Sequence, residues 1–177
     1  MNIFGLKLIK TLVLKKIGQF ESHYKYDSGY MRDMLEYSPA GFAKFNKFLP
    51  LSKHREKLRP TDYWIAKLAA VQVADCGECV QLNVRMALEA GVPKNFVQAV
   101  LKGGEGLPDY LIDTYKYAES VAKNEVVDSD LMSRMEKHYD KTALMEFSLC
   151  IATGMVFPLI KRALGYAKSC KLVNIEV

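Results

Sequence analysis

Cysteine is scarce in this chain: Cys76, Cys79, Cys150 and Cys170 are the four in 177 residues, too few and too unevenly spaced for a disulfide framework. A secretory signal is missing as well, so the expected compartment is the reducing cytoplasm. A long uncharged apolar run is also lacking at the N-terminus. The stretch from Ile3 to Ile17 is rich in Ile, Leu, Val and Phe, but Lys7 and Lys10 interrupt it and Lys15 and Lys16 follow it. A spanning helix needs about 20 mostly uncharged residues, and a signal peptide places its basic residues first. No membrane span is therefore expected. The stretch suits packing against its own core or a neighbouring subunit, with a membrane surface as the alternative.

Other absences narrow the function. No stripe of Lys and Arg with interleaved aromatics accompanies the net charge of +5, which argues against a nucleic-acid partner. The loop Gly103-Gly104-Glu105-Gly106 lacks the spacing and the following Lys-Ser or Lys-Thr of a phosphate loop, and reads as a turn. His23, His54 and His138 stand in no motif and are expected at the surface. The methionines fall at helical spacings among other apolar residues, which suits core packing. No cofactor is expected.

What the chain does have is helical periodicity in almost every long segment, without a run of alternating strand residues. The expected fold is all-α: a compact helical bundle forming a single domain over 1–177, with a helical extension over 1–55 and a core over 56–177. Pro60-Thr61-Asp62 marks the start of a central helix that runs to Ala74, with Thr61 or Asp62 as its cap. A second helix is expected from about Cys76 to Ala90, stopped by Gly91 and Pro93. Further helices are expected from Asn95 to Leu101, Asp109 to Lys123 and Asp128 to His138. Two more, Thr142 to Ile151 and Phe157 to Ala167, are separated near Gly154 and Pro158. The helix–break–helix pattern around Met86-Ala87-Leu88 and Ala163-Leu164-Gly165 hints at duplication.

Cys76-Gly77-Glu78-Cys79 is the one constellation with strong chemical content. At a helix start, a separation of three residues puts the Cα atoms about 5 Å apart, within reach of a disulfide. Free N–H groups and the helix dipole at that end favour thiolate. A second cysteine nearby can resolve an oxidised first one. A disulfide between Cys76 and Cys79, leaving Cys150 and Cys170 free, is the expectation. Half of a zinc site is one alternative, although the remaining ligands would have to come from distant residues. Two inert core residues are the other. The tetrapeptide resembles the redox motif of thioredoxin, but the strands that fold needs are missing here.

The segment Leu68 to Pro93, with Cys76-Gly77-Glu78-Cys79 followed by Met86-Ala87-Leu88-Glu89-Ala90-Gly91-Val92-Pro93, resembles the carboxymuconolactone decarboxylase superfamily. It is closest in pattern to the alkylhydroperoxidase D-like branch. The resemblance continues through Tyr117-Ala118 and Leu164-Gly165 and leaves out the first 50 or so residues. It implies a helical domain assembled as a trimer or hexamer. It also implies a thiol–disulfide oxidoreductase reducing hydroperoxides, re-reduced by a small dithiol, a lipoyl group or a thioredoxin-like protein. By that resemblance Cys79 is the peroxide-reactive thiolate and Cys76 closes the disulfide. The alternatives are a redox-inert oligomeric interaction protein that retains the fold, and a lactone decarboxylase, which only the superfamily's name suggests.

Two positions depart from the family pattern. Asn83 stands where a histidine follows the second cysteine, and Trp64 where a glutamate precedes the first. Asn83 can donate a hydrogen bond to a thiolate but cannot take a proton near neutral pH. Asp62, the nearest carboxylate, is rotated away from the Trp64 position by roughly 200° of helix. Lys67 and Glu78 are expected to be exposed, and Gln72 to line the site or pack nearby.

Overall fold

Apolar residues at helical spacing, punctuated by proline, glycine and short polar caps, produce the helices of this chain. The computed structural model describes residues 3–177, with side chains from residue 8 onward except that of residue 172. Ile3 to Lys7 of the apolar N-terminal stretch thus lie outside the described side chains. Among the described residues there are nine α-helices, two 3-10 turns and no strand. Contacts divide the chain into two units, Met1–Leu49 and Pro50–Val177.

The first unit holds α1 (Ile3–Tyr24), α2 (Gly29–Tyr37) and α3 (Pro39–Phe48). Ile17, Leu35 and Phe42 form its small core, with Val13, Leu14, Met31 and Met34 against it. The Glu21 carboxylate accepts hydrogen bonds from Ser28 Oγ at 2.7 Å and Arg32 Nε at 3.0 Å, tying α1 to α2. Leu8, Ile9 and Leu12 of α1 remain exposed.

The second unit is built around α4 (Pro60–Val73), which packs against α5 (Gly77–Glu89), α6 (Lys94–Leu101), α7 (Asp109–Ala122) and α9 (Lys141–Ala163). Ile65, Ala66, Leu68, Ala69, Ala70 and Val71 are all buried, so α4 is apolar nearly all round, as a central helix must be. Its start differs from the expected cap. Pro60 takes the first turn, where its missing N–H costs nothing. Asp62 then falls inside the helix, buried, and receives the Arg59 guanidinium at 2.7 and 2.8 Å. The shorter α8 (Ser129–His138) is capped by Asp128, whose Oδ1 accepts the N–H groups of Asp130 and Leu131.

The largest departure from expectation is α9. It is one continuous helix with Pro158 inside it, not two helices parted near Gly154. A proline removes one intrahelical bond and crowds the carbonyl four residues back, here that of Gly154. Packing of Gly154 against Lys67 and Val71 of α4 holds the helix through that point. With α9 unbroken, the hint of duplication falls away. By length and composition α9 could cross a membrane, with a mean hydropathy of 1.8 over its most apolar window, 44% of which is buried inside the fold. A core helix of a soluble protein has the same character.

Glu146 of α9 is a structural device that the sequence did not reveal. Its carboxylate is buried and accepts the backbone N–H groups of Glu56, Lys57 and Leu58 at 2.9 to 3.1 Å. These residues form the polar approach to α4, and Glu146 satisfies donors that have no helical or strand partner.

Candidate functional site

The central helix α4 ends at Val73, and a tight turn leads into α5. Asp75 adopts a left-handed conformation, φ 47°, which Asp tolerates better than most residues. Arg162 Nη2 donates to the carbonyls of Ala74 at 2.6 Å and Asp75 at 3.0 Å, so the turn is fixed from α9. Cys76 follows in an extended conformation as the cap residue of α5, one residue ahead of the helix itself. Cys79 lies in the first turn.

Cys76 and Cys79 are joined in a disulfide with their Cα atoms 5.2 Å apart, as the spacing predicts. Cys150 and Cys170 are free thiols. Both bridged cysteines are enclosed: Cys76 is 0% exposed and Cys79 3%. The pairing leaves the zinc alternative without its two leading ligands, and no cluster of three or more metal-ligating side chains occurs among the described residues.

Glu78, between the cysteines, is not the solvent-facing residue expected of a first-turn glutamate. Its carboxylate is bonded to Lys161 Nζ at 2.6 Å and Lys168 Nζ at 3.1 Å. Lys161 is wholly buried, and an unpaired ammonium there would carry a large desolvation cost. Burial pushes the Glu78 carboxyl up, but the bonds from both lysines outweigh it and hold the group below the usual glutamate range. Glu78 is thus a carboxylate engaged by two lysines, and a weaker base than an ordinary glutamate.

Asn83 is buried and donates its side-chain N–H to the backbone carbonyl of Cys79 at 2.7 Å. Its one strong donor contact goes to the main chain of the helix. Trp64 is half-buried and meets Tyr63 edge to face at 5.3 Å. Gln72 Oε1 is an enclosed acceptor without a partner among the described residues. The three histidines are exposed. A cleft of about 340 Å³ between α7 and α8, lined by Asp113, Arg134 and His138, includes none of the cysteines.

Lys67 also departs from expectation. It is buried, and its Nζ donates to the Ser52 carbonyl at 2.5 Å and to the Tyr63 hydroxyl at 2.8 Å. Burial lowers its pKa, and the nearby Cys150 opposes that shift. Cys150 in turn is pushed up to about 12 by burial, which makes it an inert thiol at neutral pH. Lys67 therefore belongs to a polar cluster with Ser52, Tyr63 and Cys150.

The contribution with no sequence signal comes from the C-terminal segment. The Gly77 N–H donates to the Lys168 carbonyl at 2.9 Å. Asp75 Oδ1 accepts from Ser169 Oγ at 3.0 Å and from the Cys170 N–H at 2.8 Å. Those bonds, the Cys170 N–H first, hold the Asp75 carboxyl below the usual range. The Gln81 amide is paired at both ends with the main chain of Glu176. The segment follows the last helix without a periodic pattern of its own, so nothing in the sequence points it toward the cysteines.

No family model, curated protein or solved structure matches the chain. The likeness to the alkylhydroperoxidase D-like branch rests on the residues quoted above.

Proposed function

We propose that the chain is a thiol–disulfide oxidoreductase of the alkylhydroperoxidase D-like type, acting in the cytoplasm and reducing hydroperoxides slowly. The observation that carries this reading is the Cys76–Cys79 disulfide at the N-terminus of α5. In the reduced protein that position offers free backbone N–H groups and the positive end of a helix dipole to a thiolate. The Cys79 thiolate attacks the peroxide O–O bond, becoming a sulfenic acid and releasing an alcohol or water. The Cys76 thiol then displaces water from that sulfenic acid and closes the disulfide. A small dithiol, a lipoyl group or a thioredoxin-like protein returns the pair to thiols while becoming a disulfide itself.

The burial of both cysteines favours a second reading, a structural disulfide in a redox-inert interaction protein. Thiol titration separates the two. After a dithiol reductant the folded protein should gain two reactive thiols, and after peroxide it should lose them. Peptide mapping should return the Cys76–Cys79 link with Cys150 and Cys170 unbridged. A pair that stays oxidised until the protein unfolds would favour the structural disulfide.

Assembly is part of the same proposal. Leu8, Ile9 and Leu12 on α1 and Met145 and Leu159 on α9 are exposed apolar side chains that subunit contacts would cover. Light scattering at micromolar concentration is expected to give a mass of three or six chains. A clean monomer would reject this and reopen the membrane-surface reading of α1.

A further inference from the structure

Gly165, at φ 77°, turns the chain back after α9, and the residues that follow run to Val177 with one 3-10 turn, Cys170–Leu172, as their only regular structure. A segment with so little internal bonding is held by what it touches. Its polar contacts fall on Asp75, Gly77, Glu78 and Gln81, the residues before, between and just after the two cysteines. Cys170, Ile175 and Val177 add apolar packing against the core. The fit at Gly77 is close. A Cβ there would lie 2.6 Å from Val173 Cβ and 3.1 Å from the Cys170 Cα.

Thiol–disulfide exchange needs an attacking sulfur in line with the bond it breaks. Cys76 and Cys79, 0% and 3% exposed, leave no such approach in the closed structure. Something must move, and a segment without helical hydrogen bonds of its own, apart from one 3-10 turn, opens more readily than the helices it lies against. We propose that the segment Lys168–Val177 is a strap over the redox pair, and that its release limits the reaction of Cys76–Cys79 with a partner thiol. This rests on the exchange reading given above. In the open form a thiolate of the partner dithiol attacks one sulfur of the pair, forming a mixed disulfide and freeing the other cysteine. The partner's second thiol then displaces the remaining cysteine, so the pair leaves as two thiols and the partner as a disulfide.

Full-length oxidised protein, dithiothreitol as the probe, and alkylation followed by mass spectrometry test the strap. In the native chain the rate of reduction should level off as dithiothreitol rises, because opening becomes limiting. Gln81→Ala removes the two-point hold on Glu176. Gly77→Ala favours the helix yet drives Val173 outward. Each should speed reduction about tenfold or more, Gln81→Ala by losing two hydrogen bonds and Gly77→Ala by forcing the close Val173 contact apart. Cys150, buried in the core, reports on wider opening and should stay unlabelled while the pair reacts.

A rate linear in dithiothreitol and equal in all the proteins would overturn the strap. Labelling of Cys150 in step with the pair in the native chain would also overturn it, since the whole unit would then be opening. The exchange reading fails separately, if the pair opens as described but, once reduced, is not re-formed by peroxide or a disulfide partner. Native-chain saturation needs no variant, so it stands even where a substitution harms folding.

Discussion

Glu146→Ala is expected to lower the stability of the Pro50–Val177 unit by about 3–5 kcal/mol, since hydrogen bonds to a buried charge are worth roughly 1.5–3 kcal/mol each and the buried Leu58 N–H is left without its acceptor. The Glu56, Lys57 and Leu58 N–H groups all converge on that one carboxylate. Leu58 is itself buried, so its N–H has little access to replacement water. Glu146→Gln keeps one acceptor oxygen and should cost less than half as much. The charge also sets a pH dependence. Burial pushes the carboxyl up, but the N–H donors of Leu58, Lys57 and Glu56 outweigh it and hold the group below its usual value. The stabilisation is therefore fully present above the unfolded value of about 4.3, and is lost as pH falls through the lower folded value. Urea unfolding followed by circular dichroism at pH 7, and again between about pH 5 and 3, measures both effects. A variant with the native midpoint would mean that the loop donors are satisfied without Glu146.

Helix existence was legible in this sequence because apolar spacing and cap residues agree along most of the chain. Asp128 before α8 and Gly91 after α5 are cases where the local signal and the fold coincide. The disulfide was legible because CxxC spacing at a helix start leaves little geometric choice. Pro158 misled because propensity is local, whereas the packing of Gly154 against α4 comes from residues far away in the chain. Lys67, Glu78 and Glu146 were unreadable for one shared reason. A charged side chain is exposed by default, and only the fold brings the partner that makes burial tolerable. For Glu78 that partner is Lys161, 83 residues on. The C-terminal segment was invisible because its bonds run mostly between main chain and side chain and carry no pattern.

The remaining large effect concerns proton transfer at the cysteines. Peroxide turnover by the native chain should be slow, because the candidate proton acceptors among the described residues are already engaged by other partners. Asn83 is committed to the Cys79 carbonyl. Glu78 is held as an anion by two lysines, and Asp62 is bound to Arg59. Lys67 is occupied with Ser52 and Tyr63. General-base assistance is typically worth about 10²–10⁴-fold, and that is the scale of the expected deficit. Asn83→His together with Trp64→Glu should recover part of it. Trp64 is half-buried beside Tyr63, so its replacement will lower stability, and folding must be followed alongside the rate. The gain should be read in the native background and again with Gly77→Ala, since a closed strap would mask faster chemistry. Cys79→Ser should abolish turnover, while Cys76→Ser should trap a sulfenic acid that a dimedone-type probe captures. If the native chain already consumes peroxide as fast as a base-assisted enzyme, one of these engaged side chains is activating the thiol. Glu78, the carboxylate between the two cysteines, then becomes the first position to substitute, with Lys67 next.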